Sequence, residues 1–244
     1  MRTASSFGHM YQNPFIQKLL QFTEEFLRTN VDSLGIDRSK QQRILDYACG
    51  NGTVARALLK VLPLASFRGV DISNAQVQRY NDEAVKLLGK SPDRMIAIQG
   101  DLSNSSEVLN GPEWFDFDVV IISMALHHVD NPVEFLKLLR QRVKKGGSLV
   151  ILDFLAPVPS DVYSKGRVDE GAKDGDKHKY NLSQRPNVEG IPAVWPGFSV
   201  KDIVEDMQAA GCVDVEVKVH PDSIQMPKNM GKWDKMYIAQ ATVI

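Results

Sequence analysis

The chain has 244 residues, of which 43% are hydrophobic and 24% are charged, and its 29 basic and 30 acidic side chains leave a net charge of −1. This balance argues against a nucleic-acid-binding protein, whose affinity rests on a basic surface. The two cysteines, Cys49 and Cys212, are far apart and form no disulfide or metal-ligand framework. No apolar run reaches the roughly 18 residues of a membrane-spanning helix, and residues 1–11 do not resemble a signal peptide. We therefore expect a cytoplasmic globular protein without a membrane span or a metal site.

Short apolar runs alternate with segments of helical periodicity along most of the chain. Asn13-Pro14 predicts the start of a first helix, because Asn caps helices and Pro suits their first position. The strands predicted after it are 43–47, 66–70, 95–99, 117–122, 148–154, 213–219 and 235–243. The helices predicted between them are 53–61, 73–88, 131–143 and 199–210, with Lys144–Gly147 as the turn that ends the third. The alternation favours a doubly wound α/β fold, whose parallel strands are joined by helical crossovers.

Acidic residues follow three predicted strands, at the edge where doubly wound sheets bind ligands. Asp46 precedes two glycines, Gly50 and Gly52, which let a ligand approach the backbone closely. Asp71 follows the second strand, where a carboxylate can accept both hydroxyls of a ribose, and Asp101 follows the third, where it can accept from an adenine amino group. Each feature alone fits a tight turn or a helix cap. Together they favour a nucleoside with a cationic tail.

A nicotinamide cofactor is the alternative ligand. Gly50-x-Gly52-x-x-Ala55 fits the loose nucleotide fingerprint and keeps an NAD(P)-dependent oxidoreductase open. Asp46 speaks against it, because a carboxylate at the strand end would repel a pyrophosphate. A Tyr-x-x-x-Lys pair for hydride transfer is also not recognisable.

The segment from Ile44 to Thr53 resembles the first motif of class I S-adenosylmethionine-dependent methyltransferases, with Ala48 where that family usually has its first glycine. Later segments resemble the family's following motifs in order: Asp71, Gly100-Asp101, Phe117–Val120, Leu126–Pro132 and Lys145–Gly147. The last two are similar to the small-molecule branch that includes quinone-biosynthesis methyltransferases. The resemblance implies an α/β, doubly wound, mostly parallel seven-stranded sheet with helices on both faces and an antiparallel last strand.

The resemblance also implies S-adenosylmethionine as cofactor and a single methyltransferase domain. In that domain residues 1–40 form an N-terminal helical cap, 41–154 the cofactor-binding core, 155–198 an insertion or lid over the substrate site, and 199–244 the closing helix and hairpin. The residues that it assigns to the cofactor are Asp46, Ala48, Gly50, Gly52, Asp71, Ile72, Asp101, Leu102 and Ser123.

The implied reaction is in-line methyl transfer to an O, N or C nucleophile of a small molecule. His127 and His128 are candidate bases, although both can instead structure their loop, and His178 is a further candidate if the insertion is a lid. The candidate walls of the acceptor site are Met10, Tyr11, Trp195 and Phe198, with ordinary packing as the alternative. A catalytically silent, cofactor-binding activator subunit also remains open.

Overall fold

A computed structural model of the protein describes residues 11–104, 107–156, 197–224 and 235–244. The described strands are β1 (Arg43–Tyr47), β2 (Ser66–Asp71), β3 (Met95–Gln99), β4 (Phe117–Ser123), β5 (Val143–Phe154), β6 (Cys212–Val219) and β7 (Met236–Val243). They form one sheet in the order β3-β2-β1-β4-β5-β7-β6. The strands β1 to β5 pair in parallel, and β7 runs antiparallel to β5 and β6. This confirms the predicted fold class, including the antiparallel last strand.

Five helices of the described ranges are α1 (Pro14–Thr29), α2 (Thr53–Leu59), α3 (Asn74–Leu88), α4 (Pro132–Arg140) and α5 (Val200–Ala209). Side-chain caps fix three of their starts. Asn13 accepts from an amide of α1, Asn131 accepts from one of α4, and Ser199 forms a reciprocal capping box in α5. The apolar faces of α1, α2 and α3 cover one side of the sheet, and those of α4 and α5 cover the other. None of the described helices is long and apolar enough to cross a membrane.

The segment between α4 and the fifth strand differs from its prediction. The predicted helix to Val143 ends at Arg140, and the predicted turn Lys144–Gly147 lies within β5. A register shift between β4 and β5 accommodates these residues, since Phe117 pairs with Val143 but Val119 pairs with Ser148. A Cβ at Gly147 would lie 2.7 Å from the Asp118 carbonyl oxygen, so the glycine permits close approach of the two strands. The predicted turn is wrong because charged and glycine residues, which are common in turns, here form a bulge within a strand.

The turn between β1 and α2 has a left-handed backbone. Gly50 and Gly52 have φ of +51° and +84°, which glycine adopts without cost. Ala48 has φ of +56°, a conformation that costs an L-residue about 1 to 2 kcal/mol. Met124, which follows β4 at the same edge of the sheet, also has φ of +56°. Backbone strain thus accumulates at the carboxyl ends of the two central strands.

A half-buried ion pair attaches α1 to the sheet domain. Glu24 of α1 lies 2.6 Å from Arg56 Nε of α2 and 3.3 Å from Lys60 Nζ, and the Glu24 and Arg56 side chains are 13% and 18% exposed. Arg56 also lies 3.8 Å from Glu83 of α3. Because the pair is shielded from solvent, removal of one partner would leave the other charge poorly solvated.

Replacing Glu24 with Gln should lower the free energy of unfolding by about 1 to 2 kcal/mol, because the Arg56 guanidinium loses its charged partner in a half-buried site. Urea denaturation measures the effect. Glu25→Gln is the matched control, since Glu25 is the exposed neighbour on the same helix, and it should change stability by less than about 0.5 kcal/mol. Equal effects of the two substitutions would show that the ion pair does not hold α1.

Replacing Ala48 with Gly should relieve the left-handed strain, whereas Ala125→Gly should only add flexibility to the unfolded chain, since Ala125 has an ordinary φ of −138°. We expect the Ala48 variant to be about 1 to 2 kcal/mol more stable than the Ala125 variant in urea denaturation. Both alanines are half-buried and lie at the same edge of the sheet. Equal loss of stability in the two variants would show that the backbone at Ala48 is not strained.

Candidate active site

A cavity of about 670 Å³ opens at the carboxyl ends of the parallel strands, bounded by the turn after β1, the ends of β2 to β5, and α1. This volume suits a small-molecule ligand. The predicted site residues that line it are Tyr11, Asp46, Ala48, Gly50, Asp71, Ile72, Asp101, Ser123, His127 and His128. Within the described ranges, no group of three His, Cys, Asp or Glu side chains is placed to hold a metal ion.

Asp71, the last residue of β2, holds the glycine-rich turn. Its Oδ2 accepts from the Gly50 amide at 2.9 Å, and its Oδ1 accepts from the Ser73 amide at 2.9 Å. Burial raises the pKa of Asp71, while these two amides oppose the rise. Each carboxylate oxygen keeps a further acceptor site. Asp71 therefore shapes the turn and can still accept hydroxyls from a bound ribose.

Asp46, in β1, is fully buried and lines the same cavity. Neither carboxylate oxygen has a hydrogen-bond partner among the described residues. Burial, together with repulsion from Asp71, raises the pKa of Asp46 well above its usual range, and the nearby Ala55 amide only partly opposes this. Buried polar atoms without partners are rare and point to a group that a ligand satisfies. An ammonium group, such as that of a methionine moiety, fits this carboxylate.

Ile72 and Asp101 also line the cavity. Ile72 is 48% exposed, an apolar surface that suits the face of an adenine. Asp101 is half-buried and accepts from the Ser103 amide at 2.8 Å and from Asn104 Nδ2 at 2.5 Å. Both carboxylate oxygens thus have one partner and one further acceptor site.

Three predicted site residues lie away from the cavity. The Leu102 amide donates to Tyr47 Oη at 2.9 Å in a buried contact, so it already has an acceptor within the chain. A Cβ at Gly52 would lie 2.7 Å from Met95 Cε, which gives this glycine a packing role under the turn. Phe198 is 4% exposed and belongs to the core between the sheet and helices α4 and α5. Met10, His178 and Trp195 lie outside the described residues.

His127 forms a buried pair with Asp153 of β5. Its Nδ1 lies 2.7 Å from Asp153 Oδ1, and its backbone amide donates to Asp153 Oδ2 at 3.2 Å. Because a carboxylate only accepts, Nδ1 carries the proton and Nε2 is the basic nitrogen. The His128 ring packs 4.2 Å from that of His127 and also lines the cavity. The contact with Asp153 therefore fixes the orientation of the His127 ring.

The sequence prediction missed Asp153. It is fully buried, and it also accepts from the Phe154 amide at 2.8 Å. The one signal for it was an acid near the end of an otherwise apolar strand, the same signal that identified Asp46 and Asp71.

Tyr11 and α1 complete the cavity. The Tyr11 hydroxyl donates to Gln76 Oε1 at 3.0 Å, and the Arg79 guanidinium lies 5.2 Å from its ring centroid. From α1, Ile16, Leu19 and Leu20 face the cavity. The apolar face of α1 thus supplies cavity wall in addition to core.

Comparison with known proteins identifies the family. A family model described as a methyltransferase domain matches residues 19–217. An uncharacterised methyltransferase of Schizosaccharomyces pombe is 30% identical over 141 residues, covering 57% of this chain and 47% of that protein. A ubiquinone/menaquinone biosynthesis C-methyltransferase of Coxiella burnetii is 32% identical over 165 residues, which cover 62% of this chain and 63% of that protein. The chain thus spans less than two thirds of the length of these relatives.

The fold has a solved counterpart in a SAM-dependent methyltransferase of Thermotoga maritima described as a possible histamine N-methyltransferase. The two share a TM-score of 0.58 and 17% identity, with 98% of this chain and 97% of that one covered. The family match does not support the alternative of a nicotinamide-dependent oxidoreductase. The chain belongs to the methyltransferase domain family, with S-adenosylmethionine as its cofactor.

Proposed function

We propose that the protein transfers a methyl group from S-adenosylmethionine to an O, N or C nucleophile of a small molecule, with His127 as the general base. The observation that carries this proposal is the oriented His127–Asp153 pair, which lies on the same cavity as the orphaned Asp46 carboxylate. An intact base beside a cofactor region favours an active enzyme over a silent activator subunit.

Each of the proposed cofactor residues would contact a different part of the ligand. Asp46 would pair with the ammonium group, Asp71 would accept the ribose hydroxyls, Ile72 would cover a face of the adenine, and Asp101 would accept from its amino group. Ser123, at the end of β4, would lie beside the reacting centre. When bound, the cofactor supplies an electrophilic methyl group and leaves as a neutral thioether.

His127 removes the proton that many nucleophiles carry. His127 Nε2 would take the proton that the acceptor loses on methylation, and solvent would later remove it from the ring. The Asp153 carboxylate stabilises the imidazolium that results. Alignment in a site shielded from water supplies the rest of the acceleration.

The charges around the cavity support a small acceptor over a nucleic acid. Five of the residues that line it are acids, namely Asp46, Asp71, Asp101, Asp130 and Glu134, and they would repel a phosphate backbone. Residues 1–40 and 155–198 are proposed as the cap and lid of the acceptor side, and a cytoplasmic location is proposed from the cysteine content.

Calorimetric titration with S-adenosylhomocysteine and with NAD tests the cofactor assignment directly. We expect the thioether to bind and NAD to bind far more weakly, because Asp46 disfavours a pyrophosphate. Tight binding of NAD alone would overturn the proposal.

Asp46→Asn should stabilise the protein while it weakens cofactor binding. Because the folded pKa of Asp46 lies above its unfolded value near 3.8, the folded chain binds more protons there, and the wild type loses stability as the pH rises from about 4. Asn does not ionise, so the variant should gain stability relative to the wild type between pH 4 and 7. Urea denaturation across this range and calorimetry with S-adenosylhomocysteine measure the two effects.

Asp37→Asn is a control, because the pKa of Asp37 is shifted in the opposite direction to that of Asp46. Lys40 and Ser39 lower the pKa of Asp37 to about 2, so its contribution to stability is present above pH 4 and is lost as the pH falls through about 2. This exposed variant should bind S-adenosylhomocysteine normally. An Asp46 variant that loses stability at pH 7 would show that the carboxylate has a partner in the free protein.

His127→Ala should lower kcat about 100-fold or more, the usual contribution of a general base, while S-adenosylhomocysteine affinity stays unchanged. His128→Ala, its ring neighbour, is the matched control and should cost less than about tenfold.

Asp153→Asn separates positioning from proton transfer. It keeps the shape of the side chain but favours the wrong imidazole tautomer, so kcat should fall while KM changes little. Unchanged rates in both the His127 and the Asp153 variant would leave alignment as the whole mechanism.

A further inference from the structure

Tyr47 connects the first strand to the turn that follows the third. It is the last residue of β1, and its side chain is buried against the Phe135 ring, with 5.3 Å between the ring centroids. The Leu102 amide, which belongs to the turn after β3, donates to the Tyr47 hydroxyl at 2.9 Å. Because β2 lies between β1 and β3, this hydrogen bond reaches past a whole strand at the carboxyl edge of the sheet.

The turn after β3 has its own hydrogen bonds as well. The Asp101 carboxylate accepts from the Ser103 amide and from Asn104 Nδ2, and these contacts lie within the turn. The hydrogen bond from Leu102 to Tyr47 differs, because it connects the turn to another strand. It therefore helps to fix where the Asp101 carboxylate lies at the cavity, which both Tyr47 and Asp101 line.

The Tyr47 hydroxyl stays protonated at ordinary pH. Burial raises its pKa, and the nearby Asp101 and Asp71 carboxylates raise it further, whereas the Leu102 amide opposes the rise. A protonated phenol accepts from a donor and keeps its own hydrogen to donate. Tyr47 is thus a permanent acceptor for the Leu102 amide.

The Leu102 amide and the Asp101 carboxylate differ in what they can still offer a ligand. An amide has one hydrogen, and that of Leu102 already goes to Tyr47, so it is not available to a ring nitrogen of a nucleobase. Each oxygen of Asp101 keeps a further acceptor site beside its partner in the turn. The turn can therefore accept from an amino group without donating from Leu102.

We propose that Tyr47 is a positioning residue for the nucleobase: it withdraws the Leu102 amide from base recognition and holds Asp101 where the carboxylate accepts from the adenine amino group. This inference rests on the proposed function, since it concerns the base of that cofactor. Selectivity for adenine then comes from the amino group on C6, and the ring nitrogen N1 contributes little.

Three thioether probes, titrated calorimetrically, separate the two polar groups of the base. They are S-adenosylhomocysteine, its inosine analogue, in which oxygen replaces the amino group, and its 1-deaza analogue, in which carbon replaces N1. We expect the wild type to bind the inosine analogue at least about tenfold more weakly, because Asp101 loses a donor and faces an oxygen. The 1-deaza analogue should bind within about threefold of S-adenosylhomocysteine, because the Leu102 amide does not contact N1.

Tyr47→Phe releases the Leu102 amide and the hold on Asp101. The preference for S-adenosylhomocysteine over the inosine analogue should fall at least about threefold. A merely structural role of Tyr47 would weaken all probes alike and leave this ratio unchanged. Tyr237→Phe is the matched control, since the Tyr237 hydroxyl is fully buried and has no hydrogen-bond partner among the described residues. It should leave every ratio unchanged.

Asp101→Asn tests the carboxylate while the hydrogen bond from Leu102 to Tyr47 is kept. Because Asn both donates and accepts, the preference between the adenine and inosine probes should fall to about onefold. This measurement and the 1-deaza comparison stand even if Tyr47→Phe does not fold.

Three outcomes would overturn the inference: an inosine ratio that folded Tyr47→Phe leaves unchanged, an inosine ratio that Asp101→Asn leaves unchanged, or wild-type binding of the 1-deaza analogue that is weaker by about tenfold or more. Failure of the wild type to bind S-adenosylhomocysteine is a different result. It would count against the proposed function itself.

Discussion

Two buried carboxylates, Asp46 and Asp71, lie at the ends of neighbouring strands with no cation of the described residues beside them, and the site depends on this constraint. Parallel pairing of β1 with β2 forces the proximity. The sheet cannot separate the two acids without losing its register, so each must find its own compensation. Asp71 finds it in two backbone amides, whereas Asp46 has only the nearby Ala55 amide, which opposes the effect of burial in part and makes no full hydrogen bond. The free protein thus retains an unfavourable group that a cationic ligand relieves, a common exchange of stability for binding.

The third buried acid of the cavity region, Asp153, differs from Asp46 because its hydrogen bonds are satisfied within the chain. Asp153 is as deeply buried as Asp46, but it accepts from the His127 ring, from the His127 amide and from the Phe154 amide. Its interactions are satisfied within the chain, so it holds the His127 ring in place. The cavity region therefore has one buried acid that lacks full hydrogen-bond partners and another buried acid that has them.

The sequence predicted the sheet, and it singled out many residues that line the cavity, because acids at strand ends and side-chain caps are local signals. It placed Leu102 and Gly52 at the cofactor because their motif positions say nothing of packing, which the Tyr47 hydroxyl and the Met95 side chain decide. The sequence did not predict the contact of Asp153 with His127, because that contact depends on β4 and β5 being neighbours in the sheet. The register of that pair, with its bulge at Lys144–Gly147, is a long-range property that no local pattern contains.

The two halves of the cavity therefore depend on different parts of the chain. One part of the lining is built from strand ends, whose positions the sheet register fixes, so a substitution there disturbs the fold as well. Another part comes from α1, a helix outside the sheet that the Glu24–Arg56 ion pair attaches to α2. Side chains on the cavity face of α1 can change without altering any strand pairing. The wall that α1 supplies can thus change at less cost to the fold than the strand ends can.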